Sequence, residues 1–173
     1  MKTLDFITGN NAKFNQVKKL INYPIRQVKI NLDEIQSLDI AKIIEHKAKE
    51  AFKHFKKTVL VEDTSLTFKA LGKLPGPFIK WFQDQLDNNG LCKLVDGLKN
   101  REAVAEVVFG LYDGKNLKIF RNKVGGKIAD KPAGKKYFGW NQIFIPIGYN
   151  KTYAQMEKQE FETKDSDLFC LQQ

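Results

Sequence analysis

The hydrophobic positions of this chain follow two spacings, one typical of helices and one typical of strands. From Ile40 to Phe55, apolar residues recur every three or four positions, which predicts an amphipathic helix with one face in the core. Lys47 falls within that apolar face. Its ammonium must therefore reach solvent, pair with an acid or point into a cleft, and reaching solvent is the most common of the three.

The remaining elements alternate between strands and helices early in the chain and are mostly strands later. Short apolar or β-branched runs predict strands at 4–7, 28–32, 58–62, 103–112, 117–121, 123–129 and 144–146. Helices are predicted at 12–22, 78–86 and 90–98, and a further one begins at 152–156. The pair Asp113-Gly114 indicates a hairpin between two of the strands. This order predicts an α/β fold with an elongated mixed β-sheet flanked by helices.

Length and composition favour a single domain, residues 1–173, with an ordinary hydrophobic core. Of the 173 residues, 42% are hydrophobic and 28% charged, which is typical of globular proteins. Cys92 and Cys170 show no spacing that indicates a disulfide framework or a zinc site. The chain enters its first strand within four residues and contains no apolar run of membrane-spanning length. We therefore expect a cytoplasmic protein without a membrane partner.

The net charge of +9 comes from lysines spread along the whole chain. Nucleic-acid binders usually concentrate their charge on one element, with stacking aromatic residues nearby, and no such element is present. We therefore expect no nucleic-acid partner. A solvated lysine surface explains the charge, and a small polyanionic substrate would account for part of it.

A turn rich in anion-binding groups joins the first strand to the first helix. It consists of Thr8, Gly9, Asn10, Asn11, Ala12 and Lys13. A strand-to-helix turn directs backbone N–H groups and the positive end of a helix dipole to one point, where a phosphate is the natural ligand. Glycine and asparagine are also the commonest turn residues, so a turn that binds nothing is an equal alternative on this segment alone.

Acidic residues end the strand at 58–62, where Glu62-Asp63-Thr64 precedes a loop rich in glycine and proline. Open α/β sheets bind ligands at the carboxyl ends of their strands, and Mg²⁺ prefers carboxylate, phosphate and water oxygens. Asp63 together with Glu34 could supply that metal site, and a helix cap or Asx-turn is the structural alternative. The chain has no Walker A, dinucleotide-binding or serine-nucleophile motif, and its two histidines make histidine chemistry improbable.

Five ordered motifs resemble the Ham1/inosine triphosphate pyrophosphatase family across nearly the whole chain. They are Thr8-Gly9-Asn10-x-x-Lys13, Val61-Glu62-Asp63-Thr64-x-Leu66, Ala70-Leu71-Gly72-x-x-Pro75-Gly76-Pro77, Phe138-Gly139-Trp140 and Gly148-Tyr149-x-x-Thr152-Tyr153-Ala154-x-Met156. The resemblance implies a homodimer in which an elongated mixed sheet carries a central substrate cleft. It also implies Mg²⁺-dependent hydrolysis of a non-standard purine triphosphate (ITP, dITP or XTP) to the monophosphate and pyrophosphate.

The resemblance also assigns roles to individual residues. Asp63 would activate water and, with Glu34, hold magnesium. The remaining residues would bind the substrate: Thr8 through Lys13, Lys47 and Lys80 at the phosphates, Thr64 beside them, and Phe138, Gly139, Trp140 and Asn141 at the base, with Ser166 and Asp167 in the segment that reads the purine edge.

The departures from the family pattern are concentrated in the residues that read the base. Phe-Gly-Trp/Tyr-Asp-Pro has become Phe138-Gly-Trp-Asn-Gln142, and the late Ser-His-Arg motif aligns with Asp165-Ser-Asp167. Arginine donates hydrogen bonds, which suits a 6-oxo purine, whereas aspartate only accepts them. We therefore hypothesise a base preference shifted towards purines that carry amino groups. The alternatives are a relaxed base selection and a catalytically weak homologue kept for binding nucleotides or protein partners.

Overall fold

The computed structural model describes residues 3–135 and 139–157, which divide into two compact units. The first unit comprises residues 3–64 and 107–122, and the second comprises residues 65–106, 123–135 and 139–157. Strands at 59–68, 102–112 and 117–128 contribute residues to both units. The single-domain organisation stays a prediction.

Seven strands form one mixed sheet, which confirms the predicted α/β fold. The strands are β1 (Leu4–Ile7), β2 (Ile25–Val28), β3 (Val59–Phe68), β4 (Pro75–Gly76), β5 (Glu102–Tyr112), β6 (Leu117–Ile128) and β7 (Phe144–Pro146). Their order is β2-β1-β3-β5-β6-β7, with β4 beside β3. β1 runs parallel to β2 and to β3, whereas β7 is antiparallel to β6. The predicted strand at 28–32 is wrong in position, because β2 ends at Val28.

Within the described residues, three α-helices accompany the sheet: α1 (Asn11–Leu20), α2 (Ile40–Phe55) and α3 (Ile79–Lys93). Helix α2 has the predicted bounds, and the Asp39 side chain caps its first turn by accepting a hydrogen bond from the Ala41 N–H at 3.0 Å. Helix α3 joins the two helices predicted at 78–86 and 90–98 across a kink at Asp87. Within the described ranges, no helix combines the length and the apolar character that a membrane span requires.

The core of the first unit lies between α2 and the central strands. Its fully or nearly buried members are Ile7, Ile40, Ile44, Ala48, Ala51, Val59, Val61 and Val108. On β3, Val59 and Val61 share one face because side chains alternate along a strand. The apolar stripe of α2 therefore packs on the same face of β3 to which Asp63 belongs.

A buried carboxylate fixes the beginning of β1. Asp5 is 1% exposed and accepts hydrogen bonds at 3.0 Å from Nε and Nη2 of Arg26, its parallel neighbour on β2. The ammonium of Lys57, just before β3, lies 2.6 Å from the same carboxylate. Two cations thus compensate the buried charge and connect the three parallel strands at one end.

The second unit has its own aromatic cluster. Trp140 and Tyr153 both pack against Phe144 of β7, with ring centroids 5.5 Å and 5.4 Å from the Phe144 ring. Gly126 on β6 leaves space for this cluster, because an added Cβ would lie 2.4 Å from the Ile145 carbonyl oxygen and 2.6 Å from the Phe144 ring. A larger side chain cannot occupy this position without displacing β7.

Candidate active site

The turn between β1 and α1 has the geometry of an anion site, although a side chain already uses part of it. The Asn10 Oδ1 atom accepts hydrogen bonds from the N–H groups of Ala12 at 2.9 Å and Lys13 at 3.2 Å. The Thr8 hydroxyl accepts a bond from the Asn10 N–H at 3.1 Å. A Cβ added at Gly9 would meet no atom within 4 Å, so space is open beside the backbone there. A phosphate at this turn would have to share the helix N–H groups with Asn10 or displace its carboxamide.

The register of the parallel strands brings the acidic residues to this turn. Ile7 at the end of β1 pairs with Val61 of β3, so Thr8 and Glu62 follow at the same edge of the sheet. Alternation along β3 directs Glu62 and Thr64 to one face and Asp63 to the other. The predicted phosphate and acidic residues are therefore neighbours beside the carboxyl end of β1, although β3 does not end at position 62 as predicted but continues to Phe68.

Lys13 is held by two groups of β3. Its Nζ lies 2.9 Å from Oε1 and 2.8 Å from Oε2 of Glu62, and it donates to the Thr64 hydroxyl at 2.9 Å. The Glu62 side chain is only 2% exposed, and the Thr64 hydroxyl donates to it at 2.5 Å. Sequence reasoning gave Glu62 no role of its own. The alternation Glu62-x-Thr64 within a buried strand was the signal that could have identified it.

Lys47 pairs with acids and does not extend into solvent, so the more common outcome for a lysine on an apolar helix face is wrong here. Its Nζ lies 2.8 Å from Oε1 of Glu34 and 3.5 Å from the Glu62 carbonyl oxygen. Burial alone would lower the pKa of Lys47. The negative charge of Asp63, followed by the hydrogen bond and charge of Glu34, outweighs burial and raises that pKa. The side chain is therefore a fixed cation at neutral pH.

Asp63 lies among these charges and has a perturbed carboxyl group. Burial raises the pKa of the Asp63 carboxyl, and the neighbouring charge of Glu62 adds to this effect. The ammonium groups of Lys47 and Lys13 oppose the shift but do not cancel it. The Thr64 N–H donates to Oδ1 at 2.8 Å and fixes the orientation of the carboxylate. A buried carboxylate with a raised pKa is a stronger base than an exposed one.

The donor set of this cluster suits magnesium by its chemistry. The residues that the structure describes contain no group of three or more histidine, cysteine or acidic side chains arranged to hold a metal. Mg²⁺ is commonly held by one or two carboxylates, with phosphate and water oxygens completing its shell. Asp63 and Glu34 fit that requirement, provided that Glu34 gives up its ion pair with Lys47.

The remaining predicted residues belong to the second unit or lie outside the described residues. Lys80 is exposed in the first turn of α3, pairs with Asp84 at 2.8 Å and stacks over Trp81. Trp140 is 8% exposed, so its indole is part of the aromatic cluster and offers no free face to a base. Gly139 and Asn141 are half-buried in a short 3-10 turn that ends at Gln142. Phe138, Ser166 and Asp167 lie outside the described residues.

Comparison with known proteins identifies the family. The model of the Ham1 family matches residues 4–165. The chain belongs to the Ham1 family. An inosine triphosphate pyrophosphatase 2 of Trypanosoma cruzi (strain CL Brener) is 39% identical over 158 residues, which cover 89% of this chain and 81% of the relative. An inosine triphosphate pyrophosphatase of Candida albicans (strain WO-1) is 37% identical and covers 91% of this chain and 89% of its own length.

Solved structures share the fold of this Ham1 protein. The Ham1 protein of Staphylococcus aureus superposes with a TM-score of 0.82 at 23% identity, covering 98% of this chain and 95% of that one. A nucleoside-triphosphatase (dITP/XTP pyrophosphatase) of Mycobacterium abscessus superposes with a TM-score of 0.80 at 19% identity, covering 98% and 97%. At these identities the likeness establishes the fold.

Proposed function

We propose that this protein is a Mg²⁺-dependent nucleoside triphosphate pyrophosphatase that converts a purine triphosphate into the monophosphate and pyrophosphate. The cluster of Lys13, Lys47, Glu34, Glu62 and Asp63, gathered where β1 ends beside the middle of β3, carries the proposal. Two partly buried cations, a turn with the geometry of an anion site and a carboxylate with a raised pKa are the groups that hydrolysis of a phosphoanhydride requires. The inosine triphosphate pyrophosphatases among its relatives support the same activity.

Four members of the cluster have a part in the proposed reaction. Lys13 and Lys47 bind the phosphate oxygens and offset the charge that develops on them. Asp63 accepts a proton from water as the water oxygen bonds to the α-phosphorus. The bond from that phosphorus to the bridging oxygen of the β-phosphate breaks, and pyrophosphate leaves with the electron pair. When bound, magnesium would neutralise phosphate charge next to Asp63 and Glu34.

The proposed substrate is a non-standard purine triphosphate of the ITP, dITP or XTP type, with a preference shifted towards purines that carry amino groups. The segment Asp165-Ser166-Asp167 supports the shift, since Asp167 offers only acceptors where an arginine donor is expected, and Asn141 stands where the family pattern has aspartate. Phe138 and Gly139, as well as Lys80, keep the substrate contacts that the resemblance implies, as part of the proposal, whereas Trp140 could contribute only through its backbone because its indole is buried. We further propose that the protein works in the cytoplasm as a homodimer, which light scattering coupled to size exclusion would test.

The decisive experiment is a screen for pyrophosphate release with Mg²⁺. The substrates are ITP, dITP, XTP, ATP, GTP and the triphosphate of 2,6-diaminopurine, and the variants are Asp63→Asn and, as a matched control, Asp130→Asn, whose side chain is 93% exposed. We expect turnover that Asp63→Asn abolishes and Asp130→Asn retains. Turnover of ITP far above that of every amino-purine would refute the shifted preference while leaving the pyrophosphatase intact.

A binding role without efficient catalysis is the second candidate. It is favoured by the ion pair of Glu34 with Lys47, since a Glu34 that stays paired leaves the proposed magnesium site with only one carboxylate. Calorimetric binding of nucleotides in the absence of any pyrophosphate release would establish this role and remove the catalytic proposal.

A further inference from the structure

A network of hydrogen bonds between side-chain amides holds the short turn from Gly139 to Gln142. The Asn88 Nδ2 group donates to the Gly139 carbonyl oxygen and to Oε1 of Gln142, both at 3.2 Å. The Asn88 Oδ1 atom accepts from Nε2 of Gln83 at 2.8 Å, and Gln142 Nε2 donates to the Gly134 carbonyl at 3.1 Å. Asn88 is thus the centre of a network that connects α3 to both sides of the turn.

The direction of every bond in this network is fixed by two backbone carbonyls. The carbonyls of Gly139 and Gly134 only accept, so Asn88 and Gln142 must each present an NH₂ group to them. The second N–H of Asn88 then meets the Gln142 oxygen, and its own oxygen is left to accept from Gln83. Every hydrogen-bonding atom of the Asn88 side chain is used, and an aspartate of the same shape could not make these donations.

The kink in α3 gives Asn88 this position. Asp87, which precedes it, has φ 53° and ψ −173°, a left-handed conformation that non-glycine residues rarely adopt. The Asp87 carboxylate accepts from the Gly90 N–H at 3.0 Å and caps the second half of the helix. Strain of this kind persists only where the surrounding structure enforces it. The bonds from Asn88 to the turn are such a constraint.

We infer that Asn88 is a positioning residue for base selection. It fixes the backbone of the turn Gly139–Gln142. The position of that backbone then determines how Gly139 and Asn141 are oriented towards a purine. The inference rests on the proposed function, in which this turn contacts the base. It also explains Gln142, a departure from the family pattern noted above, because a proline at that position would have no amide to complete the network.

Three variants test the inference. Asn88→Ala removes the network, Asn88→Asp keeps its shape but replaces both donors with an acceptor, and Gln85→Ala alters an exposed residue of the same helix as a control. The readouts are kcat and KM for each triphosphate in the screen and amide hydrogen exchange of residues 139–143 by mass spectrometry. We expect both Asn88 variants to change the ratio of kcat/KM between the best and the poorest purine at least tenfold, mainly through KM. Amide hydrogen exchange in the turn will be faster in both Asn88 variants. Gln85→Ala will match the wild type in kinetics and in exchange.

Each outcome decides the inference. An unchanged ratio with faster exchange means that the order of the turn does not govern base selection, and unchanged exchange means that Asn88 does not hold the turn. An equal loss of kcat/KM for every purine, with a lowered melting temperature, assigns Asn88 a purely structural role. The absence of turnover in the wild-type protein refutes the proposed function itself, which is a different result from turnover with unaltered selectivity in the variants.

Discussion

Lys47 and Glu34 form an ion pair of 2.8 Å, although the proposed reaction gives the two side chains different partners. The lysine binds phosphate, and the glutamate binds magnesium. Binding of the substrate complex must therefore separate this ion pair. Glu34 can respond because it lies in an irregular segment between β2 and α2 and is 58% exposed, whereas Lys47 is fixed on a core helix.

Replacing Lys47 by methionine will lower kcat/KM for the best substrate at least about a hundredfold, because a preorganised cation at the reacting phosphate is lost. The matched control is Lys49→Met on the same helix, where the lysine pairs with Glu45 on the exposed face. Pyrophosphate release measures both variants. An equal loss in the two would show that helix stability, and not the charge at position 47, is responsible.

The raised pKa of Asp63 predicts how stability depends on pH in metal-free protein. The folded state holds the proton on this carboxyl more tightly than the unfolded state does, so its contribution to stability falls as pH rises through the raised pKa. Asp63→Asn removes this titration. Urea denaturation in EDTA measures the free energy of unfolding of both proteins. We expect the value for Asp63→Asn to increase relative to that of the wild type from pH 4 to pH 8.

The matched control for this titration is Asp130→Asn. Its carboxyl is 93% exposed and lies outside the cluster, so its replacement leaves the charges around Asp63 unchanged. If the Asp63→Asn difference instead shrinks as pH rises, the folded protein stabilises the ionised carboxylate, and the electrostatic description of the cluster is wrong.

Cys92 will be nearly inert to thiol reagents in the folded protein. Burial raises the pKa of its thiol to about 11, and the residue is 1% exposed. At pH 8 only about one thiol in a thousand is then ionised, and the thiolate is the reactive form. In a Cys170→Ser background, the reaction with Ellman's reagent will be at least about a hundredfold slower than in urea. A fast reaction in native buffer would contradict the packing around Cys92.

Gly110 of β5 is required by close packing in the first unit. An added Cβ would lie 2.5 Å from Cγ2 of Ile44 and 3.2 Å from Cγ2 of Val61. We expect Gly110→Ala to reduce the free energy of unfolding by about 2 kcal/mol, since overpacked cores shift side chains and backbone. Gly125→Ala on β6 is the control, because its added Cβ meets nothing within 4 Å. Equal urea midpoints for the two variants would show that α2 can move away at little cost.

The elements that sequence predicted best are those whose signal is local. Helix α2 has the predicted bounds because its apolar spacing and the cap at Asp39 lie within the segment itself. β2 was misplaced because its position is set by pairing with β1, Leu4 to Ile25 and Ile7 to Val28, and not by its own alternation. Ile30 and Leu32 still pack against the core, but as irregular chain.

In the candidate site, too, local sequence predicted the types of residue, whereas their contacts depend on parts of the chain that are far apart in sequence. The types and spacing of Lys13 and Asp63 indicated phosphate and metal chemistry from the chain alone. The pairing of Lys13 with Glu62, 49 residues away, depends on the register between β1 and β3, which no local pattern contains. The side chain of Trp140 was expected at the base, but its burial depends on β7 and Tyr153, which follow it in sequence.

Because the Asp5 carboxylate is buried, added salt affects its ion pairs less than it affects the charges on the surface. Salt screens charges that face solvent over about 10 Å, but it barely reaches a carboxylate enclosed by Arg26, Lys57 and the sheet. The excess of lysine on the surface is open to that screening, and so is its long-range attraction for a polyanion. Added salt will therefore slow the capture of a triphosphate while the strand that leads into the phosphate turn keeps its register.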